Sequence, residues 1–433
     1  MKNLTKNLGE LLSLYRPVPA DWFVNAPKKR VAILGCVPCN NYADLVDTWK
    51  QAIYWTDRID IAFGFMLAIV ASTKLQGAQV WGRILGAPGS AKSTLCDALT
   101  INQEYTFSMD MQTGLHSGQE GQDIFQLIDG KTVVINEGDM LVNAPNRDQT
   151  LAQIRSSWGG KIDAHYRNGV SYSRAGMRTT YIWAGTANMR KLNRSAAGDR
   201  FLDCMIYERT KGQQDPNEQE MLMMAADTED VVSRCLSDGK LESQDDPKKV
   251  LAMRMTGGFV KYLREQGAGQ VEKLECPREI KRDCMQLGQL IAYMRARPDE
   301  KMEGEETEVE LATRLTRQLV RLSKCSAMVL GRPIDTEVMR RIATIAYDTC
   351  RGTTFKVAKA LIEKPLDSQG IAAKTGYTTQ TARNAITTLA TIGCIRRDDS
   401  HSLSGATGRN KGLYRLSVQM TQLLQKLRSL KNA

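Results

Sequence analysis

Histidine is scarce in this chain, with three among 433 residues. Long apolar runs are lacking too. The longest, Ile61 to Ala71, is too short for a bilayer span, which takes about 20 residues. It reads instead as a buried helix packed on a larger core. The first residues, Met1 to Lys6, lack the apolar centre of a secretory signal. A disulfide framework is lacking as well, because the ten cysteines are scattered, a usage that suits a reducing compartment. Cys36-Val37-Pro38-Cys39 is the one close pair, and no second pair or histidine pair follows at zinc-finger spacing. Internal repeats and long low-complexity segments are missing. Membrane-spanning, disulfide-rich secreted and zinc-finger classes are thereby excluded, leaving the expectation of a cytoplasmic protein with no membrane partner.

What is present fits a multidomain protein. A chain of 433 residues with 42% hydrophobic residues can bury sizeable cores in two or three domains. The formal net charge is +11, and its excess is C-terminal. From Thr354 to Ala433 there are 13 Lys and Arg against 4 Asp and Glu, a net of +9. A charge run is ordinarily a solvated face. Concentration in one small region favours a polyanion partner.

The chemistry centres on Gly86-Ala87-Pro88-Gly89-Ser90-Ala91-Lys92-Ser93-Thr94. An apolar run, Val80 to Leu85, precedes it and a helical pattern follows. Strand, glycine loop and helix together aim backbone N–H groups at phosphates. In that context Gly86, Gly89, Ser90, Ala91 and Thr94 form the cradle for ATP. Lys92 supplies charge for the β- and γ-phosphates, and Ser93 a hydroxyl for Mg²⁺. The usual last glycine is Ala91 here. Farther on, Thr132 to Ile135 reads as a buried parallel strand ending in Asn136-Glu137-Gly138-Asp139. Glu137 is the carboxylate that polarises an attacking water. A later strand, Thr180 to Gly185, leads to Asn188, which can hold that water. Gly198-Asp199-Arg200-Phe201 then offers Arg200.

GAPGSAKST, INEGDML, the strand ending in TAN, and GDRF resemble the AAA+ core of the minichromosome-maintenance (MCM) replicative helicases. The resemblance covers about residues 60 to 350. It implies an α/β fold, an AAA+ P-loop core with a parallel sheet and a helical lid. It also implies ATP bound between subunits of a homo-oligomeric ring, a hexamer, with Arg200 reaching a neighbour's site. The segment Ala312 to Ser323 resembles the lid helix of the second sensor, which puts Arg314 at the γ-phosphate. Two departures stand out. Asn136 replaces an aspartate that orders Mg²⁺ through water, keeping an acceptor oxygen but losing the charge, with Asp139 as a compensating carboxylate. The N-terminal oligonucleotide-binding region of the family has no room here.

The C-terminal segment has its own pattern. Phe355 to Ile362 reads as a helix broken by Pro365, Ser368 to Gly376 as a short helix and turn, and Thr378 or Thr379 as the cap of a third helix running to Thr391. Cys394 to Arg397 and Leu413 to Leu416 read as a hairpin. This resembles a winged helix. Its third helix would meet duplex DNA through Thr379, Gln380, Arg383 or Asn384, and its wing would use Arg396, Arg397, Arg409 and Lys411 on phosphates. A winged helix used for protein contact is the alternative.

The expected division is an irregular N-terminal extension (1–50), the nucleotide-binding core (51–206), the lid (207–352) and the winged helix (353–433). The Met221, Met223 and Met224 cluster reads as lid core, and Pro298 to Glu310 as a solvated acidic loop. Lys161 to Tyr172 carries Asn168-Gly169, a strong hairpin signal. In the MCM-like branch this hairpin enters the ring's pore, where Lys161, Tyr166 and Arg167 would meet single-stranded DNA; an ordinary surface hairpin is the alternative. These readings combine into an ATP-driven DNA motor, a helicase acting in replication or DNA processing. An ATP-gated DNA-binding switch, such as an origin initiator or helicase loader, is the rival. A transcriptional activator ATPase ranks last, because GAFTGA is absent.

Overall fold

The structure is a computed structural model. It describes residues 35–77, 79–109, 124–145, 147–165, 171–194, 200–206, 223–224, 246–296, 311–398 and 412–432.

Helix α1, Tyr42–Trp49, begins where the Asn41 side chain accepts from the Ala43 N–H. Its Tyr42, Leu45, Val46 and Trp49 are buried, and the Trp49 indole donates to Thr256 at 3.1 Å. The expected irregular extension therefore ends in a packed helix. One eight-residue helix is too short to reveal its period among upstream prolines. Helix α2, Asp57–Ser72, is capped by Thr56 and buried almost all round, as suits a helix enclosed on every side. It lies on the sheet and against a later helix, Thr313–Val329. Gly82 permits the approach, because a Cβ there would come within 2.5 Å of Ile69 and 2.7 Å of Phe65.

The central sheet has five parallel strands in the order β2-β3-β6-β1-β7. These are β1 (Trp81–Leu85), β2 (Thr106–Ser108), β3 (Thr132–Ile135), β6 (Thr180–Gly185) and β7 (Phe201–Met205). Alternation sets the faces. Ile84, Val134, Ile182 and Leu202 face the cluster that includes α2. Trp81, Val133, Tyr181, Trp183 and Phe201 face a second cluster. Around the sheet stand α3 (Lys92–Thr100), α4 (Ile124–Ile128) and α5 (Arg147–Trp158). Strands β4 (Lys161–His165) and β5 (Ser171–Ala175) pair as an antiparallel hairpin. Its expected tip, with Tyr166, Arg167 and Asn168-Gly169, lies outside the described residues.

The helical region comprises α6 (Pro247–Tyr262), α7 (Ala268–Lys273), α8 (Arg278–Arg295), α9 (Thr313–Val329) and α10 (Thr336–Cys350). Helix α6 packs on α3 and α1, with Asn102 donating to the Gly257 carbonyl at 3.1 Å. Met223 is 63% exposed rather than core. Methionines at i, i+2 and i+3 cannot share one helical face. Met221 and the acidic stretch 298–310 lie outside the described residues.

The C-terminal elements are α11 (Thr353–Ala360), α12 (Ser368–Thr375), α13 (Thr379–Thr391), β8 (Ile395–Asp398), β9 (Leu413–Leu416) and α14 (Val418–Asn432). Thr378 caps α13, β8 and β9 pair antiparallel, and Leu366 bridges to Tyr414. Helix α14 has no counterpart in the sequence reading, although Met420, Leu423, Leu424 and Leu427 carry a helical spacing and are buried. It packs on α8 and α10, joined by Lys426–Asp283 at 2.7 Å.

A buried ion pair crosses the sheet. Arg83 in β1 and Asp203 in β7 are each 1% exposed and meet at 2.6 Å. Asp203 also receives Arg190 at 3.3 Å. Asp203→Asn should therefore cost about 3–5 kcal/mol, since it leaves Arg83 buried without its countercharge. The Arg83→Met/Asp203→Leu pair should recover most of that loss. Denaturant unfolding of both variants checks this.

Candidate nucleotide site

The loop after β1 closes on itself. Gly86 donates its N–H to Gly185 at 3.1 Å, tying the loop to β6. A Cβ at Gly86 would lie 2.6 Å from Ile206 and 2.8 Å from Ser90 Oγ, so only glycine fits there. Ala91 takes the left-handed conformation, φ 61° and ψ 6°, and is the one non-glycine with positive φ among the described residues. The turn therefore survives the missing glycine, with the strain of an L-residue in that region, about 1–2 kcal/mol. Ala91 caps α3 without a side-chain bond, which leaves the first N–H groups of α3 available to an anion.

Lys92 is 9% exposed. Its ammonium donates to the carbonyls of Gly86 at 2.9 Å and Ala87 at 2.6 Å, and to Ser90 Oγ at 3.0 Å. Burial pushes its pKa down, and nearby Asp139 partly opposes this. A buried ammonium whose hydrogen bonds go to carbonyl and hydroxyl dipoles is suited to exchange them for phosphate oxygens. Ser93 is exposed beside it, and Thr94 is half-buried.

Strand order brings the other groups to the same edge. β3, β6 and β1 are neighbours, so the ends of β3 and β1 stand roughly 10 Å apart. Glu137 follows β3 and is exposed; Asn188, exposed, follows β6. Asp139 locks the two strand ends together, accepting from the Thr186 N–H at 2.6 Å and Thr186 Oγ1 at 2.8 Å. Thr186 Oγ1 in turn accepts the Asn188 N–H at 3.2 Å.

Asp139 is thus held at the strand ends, bonded to Thr186 rather than to Asn136. The carboxylate beside Asn136 is Asp97 of α3, which accepts the Asn136 amide at 2.7 Å. Asn136 Oδ1 is buried and has no hydrogen-bond partner. Ser93 stands one turn before Asp97 on α3, and an orphaned acceptor beside that helix face suits a Mg²⁺ water shell, so the residues fit that ion. Ser93 would hold it directly and Asn136 through water, with Asp97 restoring negative charge one bond away. No sequence signal marked Asp97, because only the fold brings α3 against the end of β3.

Arg200 does not join this edge. It precedes β7, whose Phe201 pairs with Trp81 at the start of β1. One strand length, roughly 15 Å, separates it from its own phosphate loop. Gln318 of α9 donates to the Arg200 carbonyl at 2.8 Å. Arg314, one turn earlier on α9, shares that far end. Within one chain it therefore stands away from that chain's own phosphate loop, so the expectation that it reaches a γ-phosphate concerns a neighbour's site. The cause is that α9 packs on α2 and passes the N-terminal ends of the strands: farther along it, Arg321 bonds the Leu75 carbonyl that precedes β1.

Of the expected nucleic-acid contacts, Lys161 opens β4 and is exposed, as are Gln380 and Arg383 on α13 and Arg396 and Arg397 on β8. Gln380 donates to Asn384 at 2.8 Å. Arg409 and Lys411 lie outside the described residues.

Fold and site define an α/β protein whose five-stranded parallel sheet carries a phosphate-type loop at its C-terminal edge. No family model matches the chain, and no curated protein does. Among solved structures, the ORC1 protein of Aeropyrum pernix, determined in complex with DNA, is similar at 12% identity, over 90% of this chain and 96% of that one, with a TM-score of 0.25. A likeness that loose fixes no residue of the site. No described helix is long and apolar enough to cross a membrane.

The Asn136–Asp97 contact makes a charge-swap prediction. Asn136→Asp alone sets two carboxylates within hydrogen-bond distance, so one of them stays protonated. The Mg²⁺ concentration needed for nucleotide binding should rise about tenfold, as for other outer partners of a metal site. Adding Asp97→Asn should return it to the original value. Mg²⁺ titrations of a fluorescent ATP analogue on the two variants read this.

Proposed function

We propose that the protein is an AAA+ ATPase that acts on DNA as a ring-shaped motor. The observation that carries this reading is the separation of its charged groups along the sheet. Lys92, Glu137 and Asn188 gather at one edge, while Arg200 and Arg314 stand a strand length away. A complete site then needs two chains, one giving the phosphate loop and the other the arginines. Lys92 and the α3 N-terminus would bind the phosphates, Glu137 and Asn188 would orient water, and the neighbour's Arg200 would stabilise charge on the transferring group. Mg²⁺, when bound, supplies positive charge to the phosphate oxygens. The basic C-terminal region, in this reading a winged helix, engages duplex DNA through α13 and β8. The hairpin of β4 and β5 engages a single strand, and a helicase follows from these parts.

A second reading, an ATP-gated DNA-binding switch of the initiator or loader type, is favoured by Asn136. A neutral residue in the second motif suits slow turnover better than rapid stepping.

The test mixes inactive chains. Lys92→Ala and Arg200→Ala should each abolish turnover alone, and a mixture should regain part of it. Some interfaces in the mixture pair an intact Lys92 with an intact Arg200. No recovery in the mixture, with Arg200→Ala as active as the original protein, would refute the composite site. Strand displacement by the unaltered protein with ATP separates motor from switch: the motor displaces, the switch only binds.

A further inference from the structure

A second basic feature lies away from both the nucleotide site and the C-terminal elements. It is a cleft of about 700 Å³ beside the turn that leads into β1, walled by Leu75–Gly77, α7, α8 and α9. Lys281, Arg317, Arg321 and Lys324 line it, and among the described residues the one carboxylate that does is Glu272. Among the described residues, Lys281, Arg317 and Lys324 make no ion pair, and neither does Glu272. An excess of three positive charges therefore faces one concavity.

The wall is built to keep that charge. Arg321 donates to the Leu75 carbonyl at 3.1 Å and also to Gln76. From the other side Arg178 reaches Thr73 at 3.2 Å and Gly77 at 3.3 Å, and bonds Leu75. Two guanidiniums thus share one turn. Burial lowers the pKa of both, and Arg321 lowers that of Arg178 further. Gly77, at φ +89°, permits the arrangement; a Cβ there would sit 3.1 Å from the Arg321 guanidinium. The turn carbonyls are thereby taken up by guanidiniums.

The cations form a row. Arg317, Arg321 and Lys324 follow an i, i+4, i+7 spacing on one face of α9 and span roughly 10 Å. A single phosphate would meet only part of such a row, whereas an extended polyanion meets all of it. Among the described residues no aromatic side chain lines the cleft, and these residues offer no platform for stacked bases. The recognisable chemistry is a chain of phosphodiesters.

We infer that this cleft holds the backbone of one nucleic-acid strand, independently of its sequence and apart from α13 and the β8–β9 hairpin. The inference rests on the DNA reading proposed above. It adds a contact that would let the region beside that turn grip a strand while the C-terminal elements engage duplex.

The experiment uses the full chain and the variant Arg317→Gln/Lys324→Gln, which leaves the nucleotide site untouched. Affinity for two unrelated single-stranded oligonucleotides is measured across a salt series. Losing two phosphate contacts should flatten the log–log salt slope by about 1.4, making the fall in affinity from 50 to 200 mM salt about sevenfold smaller. Both sequences should weaken alike, with ATP-analogue binding unchanged. An unaltered slope and affinity overturn the inference. So does a loss confined to one sequence. A variant that loses tripolyphosphate binding in a Lys92→Ala background, yet keeps oligonucleotide binding, also overturns it, by making the cleft a small-polyanion site. If the original protein binds no oligonucleotide at any salt concentration, the DNA reading itself fails and takes this inference with it.

Discussion

The Arg83–Asp203 pair is the constraint on which the architecture turns. It joins the strand that leads into the phosphate loop to the strand that follows Arg200, with both side chains 1% exposed. The same site reaches farther. Arg83 also donates to the Met189 carbonyl at 3.1 Å, on the segment that carries Asn188. Arg190 links Asp203 to the Asp348 carbonyl at 2.8 Å. Asp348 accepts Arg58 of α2 at 2.6 Å and the Met205 N–H at 2.8 Å. Burial raises the pKa of Asp348, and Arg58 and Arg351 oppose that shift. A displacement of the segment after β6 is therefore felt by β7, α2 and α10 together. Buried charges tolerate little misalignment, because a lost partner leaves an unscreened ion.

Such coupling suits a site whose parts lie at opposite ends of one sheet. In the proposed function the phosphate loop would answer to its own nucleotide, and Arg200 to a neighbouring chain beyond the far edge. Helix α14, seated on α8 and α10 with Lys426 on Asp283, extends the connection to the C-terminal elements. The residues of the candidate nucleotide site and the basic C-terminal elements thereby share one continuous packed body.

Much of this was legible in the sequence. The loop Gly86–Thr94 declared itself through its lysine and hydroxyls between a strand and a helix. The short β-branched run before Asn136 marked a buried strand, and Thr378 marked the start of α13. Local patterns sufficed there because each is a contiguous signal. What stayed hidden depends on distant residues. Val80 to Leu85 reads as apolar, yet Arg83 within it needs Asp203, 120 positions later. Asp97 becomes relevant only when α3 meets the end of β3. Likeness to a motif singled out Arg314, but which end of the sheet it stands at depends on the packing of α9 against α2. The row of cations on α9 reads as an ordinary helix face until the turn Leu75–Gly77 closes a cleft around it.

The central claim is that one chain holds only half of the ATP-hydrolysing site. Turnover per chain, measured against protein concentration alongside the mass of the assembly, tests it most directly. The account predicts that specific activity falls steeply on dilution, in step with dissociation of the assembly. Constant specific activity down to concentrations where the protein is a monomer would contradict it.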